Sequence, residues 1–181
     1  MRKTVTVFCA SDPTGSKAEE YLEMARSFGE MLADAGLVCL NGGGGGMMQA
    51  LSEGAHHAGG EVRLVSLTEY PPPHNCHDGV VYEDALRNRQ HRLIVGGDAY
   101  VAMPGGLGTA LEVLDVASRM VLGELDGKPP VICIGAFWHH LKGHLAMAIE
   151  DGLINGNATN EIIFVDTPQE AMVLLKQHLS D

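Results

Sequence analysis

A glycine-rich turn at residues 103–112 carries the residues best suited to chemistry. Its sequence is MPGGLGTALE, and it follows an apolar run at residues 99–103 that predicts a buried strand. A helix is predicted next, from apolar residues that recur at spacings of three and four: Leu111, Leu114, Ala117 and Val121. The glycines let backbone N–H groups at the helix start approach a ligand, and the helix dipole favours an anion there. A phosphate site with Glu112 one helical turn away suits chemistry on a phosphorylated sugar.

The specificity of this turn depends on the complete string. Glycine turns follow strands in many α/β proteins for steric reasons alone, so a bare G-G-x-G indicates little. The full pattern P-G-G-x-G-T-x-x-E at residues 104–112 resembles the signature of the LOG (Lonely Guy) family, often labelled lysine decarboxylase-like. The resemblance implies a nucleoside 5′-monophosphate phosphoribohydrolase, an N-glycosidic-bond hydrolase that releases free base and ribose 5-phosphate. It also implies a cytokinin ribotide or AMP-like substrate, with an adenine-type base.

A second segment of the same family signature lies on the preceding predicted helix. Arg89 precedes Pro104 by fifteen residues and matches the arginine of the family's R-K-x-x-M segment, whereas Gln90 replaces its lysine and Leu93 its methionine. The resemblance makes Arg89 and Glu112 the catalytic pair. Without it, Arg89 could be a solvated helix charge, and Glu112 a first-turn glutamate favoured by the helix dipole.

The remaining predicted site residues come from the other glycine-rich segments. The first predicted strand ends in CASD at residues 9–12 where the family has C-G-S-S, and no G-x-G-x-x-G follows it, which counts against a dinucleotide-binding enzyme. Five consecutive glycines follow the second strand at residues 42–46, flanked by Asn41 and Gln49 at positions where the family has glycine. The predicted substrate- and phosphate-binding residues are Ser11, Gly43, Gly46, Gly105, Gly106, Gly108 and Thr109.

The predicted reaction has a clear electrostatic requirement. Breaking the C1′–N bond of a ribotide builds positive charge on the ribose, which a carboxylate such as Glu112 stabilises while it orients or deprotonates water. The 5′-phosphate supplies binding energy remote from that bond. Gln90 and Asp115 are candidates for supporting the catalytic pair. Asp115 and Arg119 share a helix face with Glu112 and could tune it, although we favour an ordinary surface pair.

The alternation of apolar strands and amphipathic helices predicts the fold. We expect a single domain over residues 1–181, with a doubly wound parallel sheet of about six to seven strands and helices on both faces, Rossmann-like and of LOG type. A helix is predicted over residues 82–95. The proline-rich segment 68–79 is predicted to be a flap or an oligomer contact.

Composition limits the class of protein. The net charge of −11 over 181 residues argues against binding nucleic acid or an anionic membrane. No apolar run approaches a membrane span or a signal peptide, and the four cysteines indicate reduced thiols, so we expect a cytoplasmic protein.

We expect neither a metal nor a cofactor. His74, Cys76 and His77 lack a fourth ligand in sequence, and His140 and His144 lack the glutamate of a zinc protease. A pyridoxal-dependent decarboxylase needs a Schiff-base lysine in its pocket, and none of the five lysines falls on the predicted glycine-lined edge.

Two expectations concern partners and an alternative function. The resemblance implies a homodimer or higher homo-oligomer, and apolar helices around Met47 and Met120 are candidate contact surfaces, although methionine stripes more often lie in the core. The alternative is a non-hydrolytic carrier of a phosphorylated ligand such as molybdenum cofactor on the same fold. The departures at Asn41, Gln49 and Gln90 favour that alternative.

Overall fold

The computed structural model describes residues 2–125, 127–155 and 160–179, which form one seven-stranded sheet and six α-helices. The strands are β1 Thr4–Phe8, β2 Val38–Asn41, β3 Val62–Leu67, β4 Gly79–Glu83, β5 Ala99–Ala102, β6 Val131–Ile134 and β7 Ile162–Val165. The helices are α1 Ala18–Asp34, α2 Gly46–His57, α3 Leu86–Gly96, α4 Leu107–Val121, α5 His139–Glu150 and α6 Pro168–Leu179. A short 3₁₀ turn, Ala136–Trp138, leads into α5.

The strand order is β4-β3-β2-β1-β5-β6-β7, and every neighbouring pair is parallel. The chain therefore starts in the middle of the sheet, builds one half outwards, and returns to β5 to build the other half. Val5 of β1 is paired with Cys39 on one side and with Ala99 on the other. The switch point lies between the carboxyl ends of β1 and β5, which is where doubly wound proteins bind their ligands.

Helices cover both faces of the sheet because the inner strands are buried on both sides. One core cluster joins the sheet to α1, α2 and α6 around Phe28, Leu51 and Leu175. The other joins the opposite face to α3, α4 and α5 through residues such as Ile94 and Val116. The predicted doubly wound α/β fold with helices on both faces is confirmed.

One detail of the sequence prediction was wrong. The helix predicted from residue 82 begins instead at Leu86, and the preceding residues form the edge strand β4. None of the five β4 residues is fully buried, so its sequence lacks the continuous apolar run that marks the inner strands. Met47 and Met120 themselves lie in the core, which is the alternative that the sequence left open, and a role of their helices in oligomer contacts remains a prediction.

The helices in the described ranges contain no segment that is both long enough and apolar enough to cross a membrane.

Candidate functional site

A cavity of about 850 Å³ opens at the switch point of the sheet. Its walls come from four segments at the ends of β1, β2, β3 and β5, at residues 9–12, 42–45, 67–73 and 106–109. All residues of these segments line the cavity except Gly43, Thr68 and Pro72. Arg89 of α3 and Glu112 of α4 complete the lining. The volume lies in the range that small-molecule sites occupy.

Two helix N-termini face this cavity. Helix α4 begins after Gly106 and α2 begins after Gly45, and neither start is capped by a side chain. The first backbone bond of α4 runs from the Ala110 N–H to the Gly106 carbonyl, so the N–H groups of residues 107–109 have no partner within the helix. Gly106, Gly108 and Thr109 line the cavity at one start, and Gly45 lines it at the other. The two dipoles make this region favourable for an anion.

Arg89 is held in place by three elements of the fold. Its Nε donates to the Val65 carbonyl at 2.9 Å, and its Nη2 donates to the Gly42 carbonyl at 3.0 Å. Its Nη1 lies 3.7 Å from Oε1 of Glu112. Position 42 must be glycine for this arrangement, because a Cβ there would lie 1.7 Å from Nη2 of Arg89.

Glu112 is a buried carboxyl with one cationic neighbour. Only 8% of the residue is exposed. Burial raises its pKa to about 7, against the opposing effect of the Arg89 charge. Burial also lowers the pKa of Arg89, which the charge of Glu112 partly offsets. At 3.7 Å the two groups form an ion pair rather than a direct hydrogen bond, so an oxygen of Glu112 remains available to a ligand or water.

The structure brings together six of the predicted site residues as lining of one cavity: Ser11, Arg89, Gly106, Gly108, Thr109 and Glu112. Cys9 lines it as well, and burial together with the nearby Glu112 raises the pKa of its thiol, which keeps it neutral. The assigned roles of these residues remain predictions.

Three predicted glycines shape the site without lining the cavity. Gly43 and Gly46 have φ values of +68° and +54°, which favour glycine, and a Cβ at Gly46 would lie 2.3 Å from the Ser11 carbonyl oxygen. A Cβ at Gly105 would lie 2.2 Å from Oγ1 of Thr109. Their contribution in this structure is steric, and contact with substrate remains a prediction.

The two predicted supporting residues do not line the cavity either. Asp115 accepts two hydrogen bonds from Arg119, at 2.8 and 3.2 Å, and Arg119 also lies 3.2 Å from Nδ1 of His91. This is the surface pair that the sequence left open as an alternative. Gln90 is half-buried on α3 beside Arg89.

The residues that depart from the family pattern around the glycine run have structural roles. The buried Asn41 side chain donates to Ser52 Oγ at 3.0 Å, and its Oδ1 accepts the Gly43 N–H at 2.8 Å. Gln49 donates to Glu53 at 2.8 Å. Asn41 thus joins the glycine loop to α2, and neither amide lines the cavity.

Sequence reasoning missed several lining residues, among them Asp12, Met48, Glu69 and Tyr70. Asp12 occupies the position of a family serine, and this departure is a signal that could have found it. Glu69 and Tyr70 lie in the segment predicted as a flap or an oligomer contact, and its prolines were the only sequence signal there. Topology alone brings that segment to the cavity.

Within the described residues, no group of three or more His, Cys, Asp or Glu side chains is arranged to hold a metal ion. His74 and His77 have ring centroids 6.3 Å apart. Both ring nitrogens of His74 are buried with no hydrogen-bond partner in the part of the chain that the structure describes. All four cysteines are free thiols.

Comparison with known families identifies the family of this chain. Residues 48–175 match the family model described as "Possible lysine decarboxylase", which is the LOG family. The chain belongs to this family. The LOG match extends from α2 to α6 and includes both Arg89 and Glu112.

Relatives with assigned names extend the comparison. A Mycobacterium marinum protein named cytokinin riboside 5′-monophosphate phosphoribohydrolase is 29% identical over 175 residues, covering 94% of this LOG chain and 92% of the relative. An Arabidopsis thaliana protein of the same name is 28% identical over 178 residues, covering 96% of this chain and 76% of the relative.

Solved structures share the fold. The structural-genomics target TM1055 is 27% identical, with a TM-score of 0.77, and the match covers 97% of this chain and 99% of the target. The molybdenum cofactor carrier protein of Chlamydomonas reinhardtii is 22% identical, with a TM-score of 0.74 and complete coverage of both chains. The carrier comparison shows a common LOG-type fold and nothing about activity.

Proposed function

We propose that this protein is a phosphoribohydrolase that converts a nucleoside 5′-monophosphate and water into free base and ribose 5-phosphate. The observation that carries the proposal is the buried Glu112, paired with Arg89, in a cavity that two uncapped helix N-termini face. The names of the relatives support the reaction class and make cytokinin ribotides the first substrates to test. AMP is tested beside them as the unmodified adenine nucleotide.

The phosphate-binding role belongs to the start of α4. Backbone N–H groups of residues 107–109 and the Thr109 hydroxyl donate hydrogen bonds to phosphate oxygens, as a helix N-terminus does for many anions. The net charge of the chain is −11, which repels anions over most of its surface. Backbone N–H groups at a helix start provide a local site that attracts an anion in spite of this charge.

Glu112 acts on the sugar. In its ionised form it stabilises the positive charge that develops on the ribose as the C1′–N bond breaks. The bond's electron pair leaves with the base, and the oxygen of water forms the new bond to C1′. Glu112 accepts a proton from that water and later releases it to solvent, and the departing base takes up one proton from solvent, so no net proton is consumed. The pKa of about 7 suits a general base at neutral pH.

Arg89 positions Glu112 and favours its ionised form. Its hydrogen bonds to the Val65 and Gly42 carbonyls fix the guanidinium before substrate arrives. Hydrolysis of the N-glycosidic bond by this route requires no cofactor and no metal ion.

The oligomer and compartment belong to this proposal as well. An apolar stripe runs along the outer face of α4 through Leu107, Leu111, Leu114 and Val121, all exposed. Because Leu107 is also a lining residue, a homodimer formed through this stripe would place the subunit contact beside the cavity. The four free thiols support a cytoplasmic location.

Release of free base decides between hydrolase and carrier. The purified protein is incubated with AMP and isopentenyladenine ribotide, and base and ribose 5-phosphate are separated by chromatography. We expect turnover that Glu112→Gln reduces at least a hundredfold, while Glu20→Gln on the exposed surface of α1 leaves it unchanged. Tight retention of a phosphorylated ligand without release of base would favour the carrier. The substitutions at Asn41 and Gln49 favoured a carrier on sequence grounds, but both side chains have structural roles, which weakens that support.

A further inference from the structure

The wall formed after β3 faces the part of the cavity farthest from the start of α4. In the order β3-β2-β1-β5, three strand spacings of about 4.8 Å separate β3 from β5, or about 14 Å. A phosphate at the end of β5 and a ribose beside Glu112 therefore direct the base toward the end of β3. Leu67, Glu69 and Tyr70 line the cavity there.

This wall is fixed before any ligand binds. The Thr68 N–H donates to the Glu83 carbonyl at 3.0 Å, and its hydroxyl donates to Asp84 at 2.8 Å. The Tyr70 N–H donates to the Leu67 carbonyl at 2.9 Å, which closes a turn around Glu69. Pro71, Pro72 and Pro73 follow and stiffen the segment.

Glu69 and Tyr70 are exposed lining residues free to meet a ligand. Tyr70 is 70% exposed, and its ring is available to stack on a base. Within the described residues, Glu69 has no hydrogen-bond or ion-pair partner. Glu69 and Asp12 bring two further carboxylates to a cavity whose sole cationic side chain, among the residues described, is Arg89. The base edge that meets Glu69 must therefore supply hydrogen-bond donors.

We propose that Glu69 selects a base with two adjacent N–H donors, with Tyr70 stacking on its face, so that the protein prefers a guanine nucleotide to an adenine nucleotide. This inference rests on the proposed function. A carboxylate accepts hydrogen bonds and donates none. Guanine presents N1–H and N2–H side by side and pairs with both carboxylate oxygens. Adenine and isopentenyladenine present an N6–H beside the unprotonated N1, whose lone pair faces the carboxylate unfavourably.

The test is a comparison of kcat/KM for GMP, IMP and AMP in three proteins: wild type, Glu69→Gln and the surface control Glu20→Gln. We expect wild type to prefer GMP over AMP by about tenfold or more, with IMP between them because it retains only N1–H. Glu69→Gln should bring the GMP:AMP ratio to one or below, since an amide donates to adenine N1 and accepts from N6–H. Charge removal alone would change all three substrates equally, so the ratio is the informative readout. Glu20→Gln should keep the wild-type ratio.

A second measurement separates failure of this inference from failure of the proposed reaction. Calorimetric dissociation constants for GMP and AMP are measured with Glu112→Gln, which suppresses turnover, in the presence and absence of Glu69→Gln. If no nucleotide is hydrolysed, the proposed function fails, and the binding ratio still tests base selection. A wild-type ratio that does not favour guanine, or one that Glu69→Gln leaves unchanged, would overturn the role of Glu69 while hydrolysis stands.

Discussion

Nη1 of Arg89 lies 3.7 Å from Oε1 of Glu112, while the other two nitrogens of the same guanidinium donate to the Val65 and Gly42 carbonyls. The cation is fixed by backbone, and the carboxylate is close enough to respond to its charge without a direct hydrogen bond. Burial raises the pKa of Glu112 and the Arg89 charge lowers it. The effect of burial is larger, and the resulting pKa is about 7.

Replacing Glu112 with glutamine should increase stability while removing activity. The pKa of the carboxyl in the folded protein lies above its value of 4.5 in the unfolded chain, so the unfolded chain loses its proton first as the pH rises. Stability is therefore lost between about pH 4.5 and 7, by about 3 kcal/mol, and remains lower above pH 7. Glutamine avoids this loss. Urea unfolding at pH 5 and pH 8 should show a larger advantage for Glu112→Gln at pH 8; an equal or smaller one would contradict the assignment.

The pH dependence of the proposed hydrolysis should depend on the charge of Arg89, because that charge lowers the pKa of Glu112. With Glu112 acting in its ionised form, kcat/KM should rise through about pH 7 in wild type. Arg89 opposes the effect of burial on this pKa, so Arg89→Gln should move the rising limb to higher pH. Arg89→Lys retains the positive charge, so the rising limb of its pH profile should move less than that of Arg89→Gln. Its kcat/KM should still fall, because lysine cannot make both backbone hydrogen bonds of Arg89. If Arg89→Gln is too slow for kinetics, the pKa of Glu112 can be followed by carbon NMR; an unshifted value in that variant would rule out the coupling.

The close approach of Arg89 to the backbone makes Gly42 a sensitive position. Alanine there places a Cβ 1.7 Å from Nη2 and must displace the guanidinium, so Gly42→Ala should reduce kcat/KM at least tenfold. Gly15→Ala is the matched control, because nothing lies within 4 Å of a Cβ at that loop position. Equal activity of the two variants would show that Arg89 need not be held where the structure places it.

His74 should limit stability in acid. Burial, followed by the effect of His77, lowers the pKa of His74, and only 8% of the residue is exposed. The unfolded chain therefore takes up a proton near pH 6.5 before the folded protein does, and stability falls as the pH drops below about 6.5. His74→Leu also removes two buried nitrogens without partners and should stabilise the protein by about 1 kcal/mol at pH 7, and by more at pH 5. Urea titrations should show no such difference for His56→Leu, an exposed position on α2; a loss of stability in His74→Leu would point to a partner for the ring.

The stripe on α4 should mediate self-association. Glutamate at Leu111 and Leu114 introduces charge on exposed apolar positions, so the double variant should be monomeric in light scattering while retaining its fold by circular dichroism. Val173→Glu, at an exposed apolar position on α6, should keep the wild-type mass. A wild-type protein that is itself monomeric would refute the proposed dimer.

The sequence predicted the inner strands, the helices of both layers and the P-G-G turn because continuous apolar runs and glycine-to-helix transitions are local signals. It missed β4 because an edge strand with no fully buried residue has no such signal. It predicted Arg89 and Glu112 through the family motif, but their separation depends on how α3 and α4 pack across the switch point. Gly43 and Gly105 were predicted to bind ligand, but the structure shows a different reason for glycine at each position. The Gly43 N–H donates to Asn41, and a Cβ at Gly105 would collide with Thr109. Both contacts arise only in the folded chain. The roles proposed for Glu69 and Tyr70 depend on where the fold places the segment after β3, and no local sequence pattern predicts that position.

The switch between β1 and β5 also determines when activity can arise during folding. Val5 and Ala99 are paired, although most of the first half of the chain lies between them in sequence. Gly42, Arg89 and Glu112 converge only after this long-range pairing, and contacts distant in sequence form slowly. A nascent chain that has emerged no further than β4 therefore contains only α1 and α2 of the six described helices and lacks the Arg89–Glu112 pair. After dilution from urea, catalytic competence should return later than the far-ultraviolet signal of the helices.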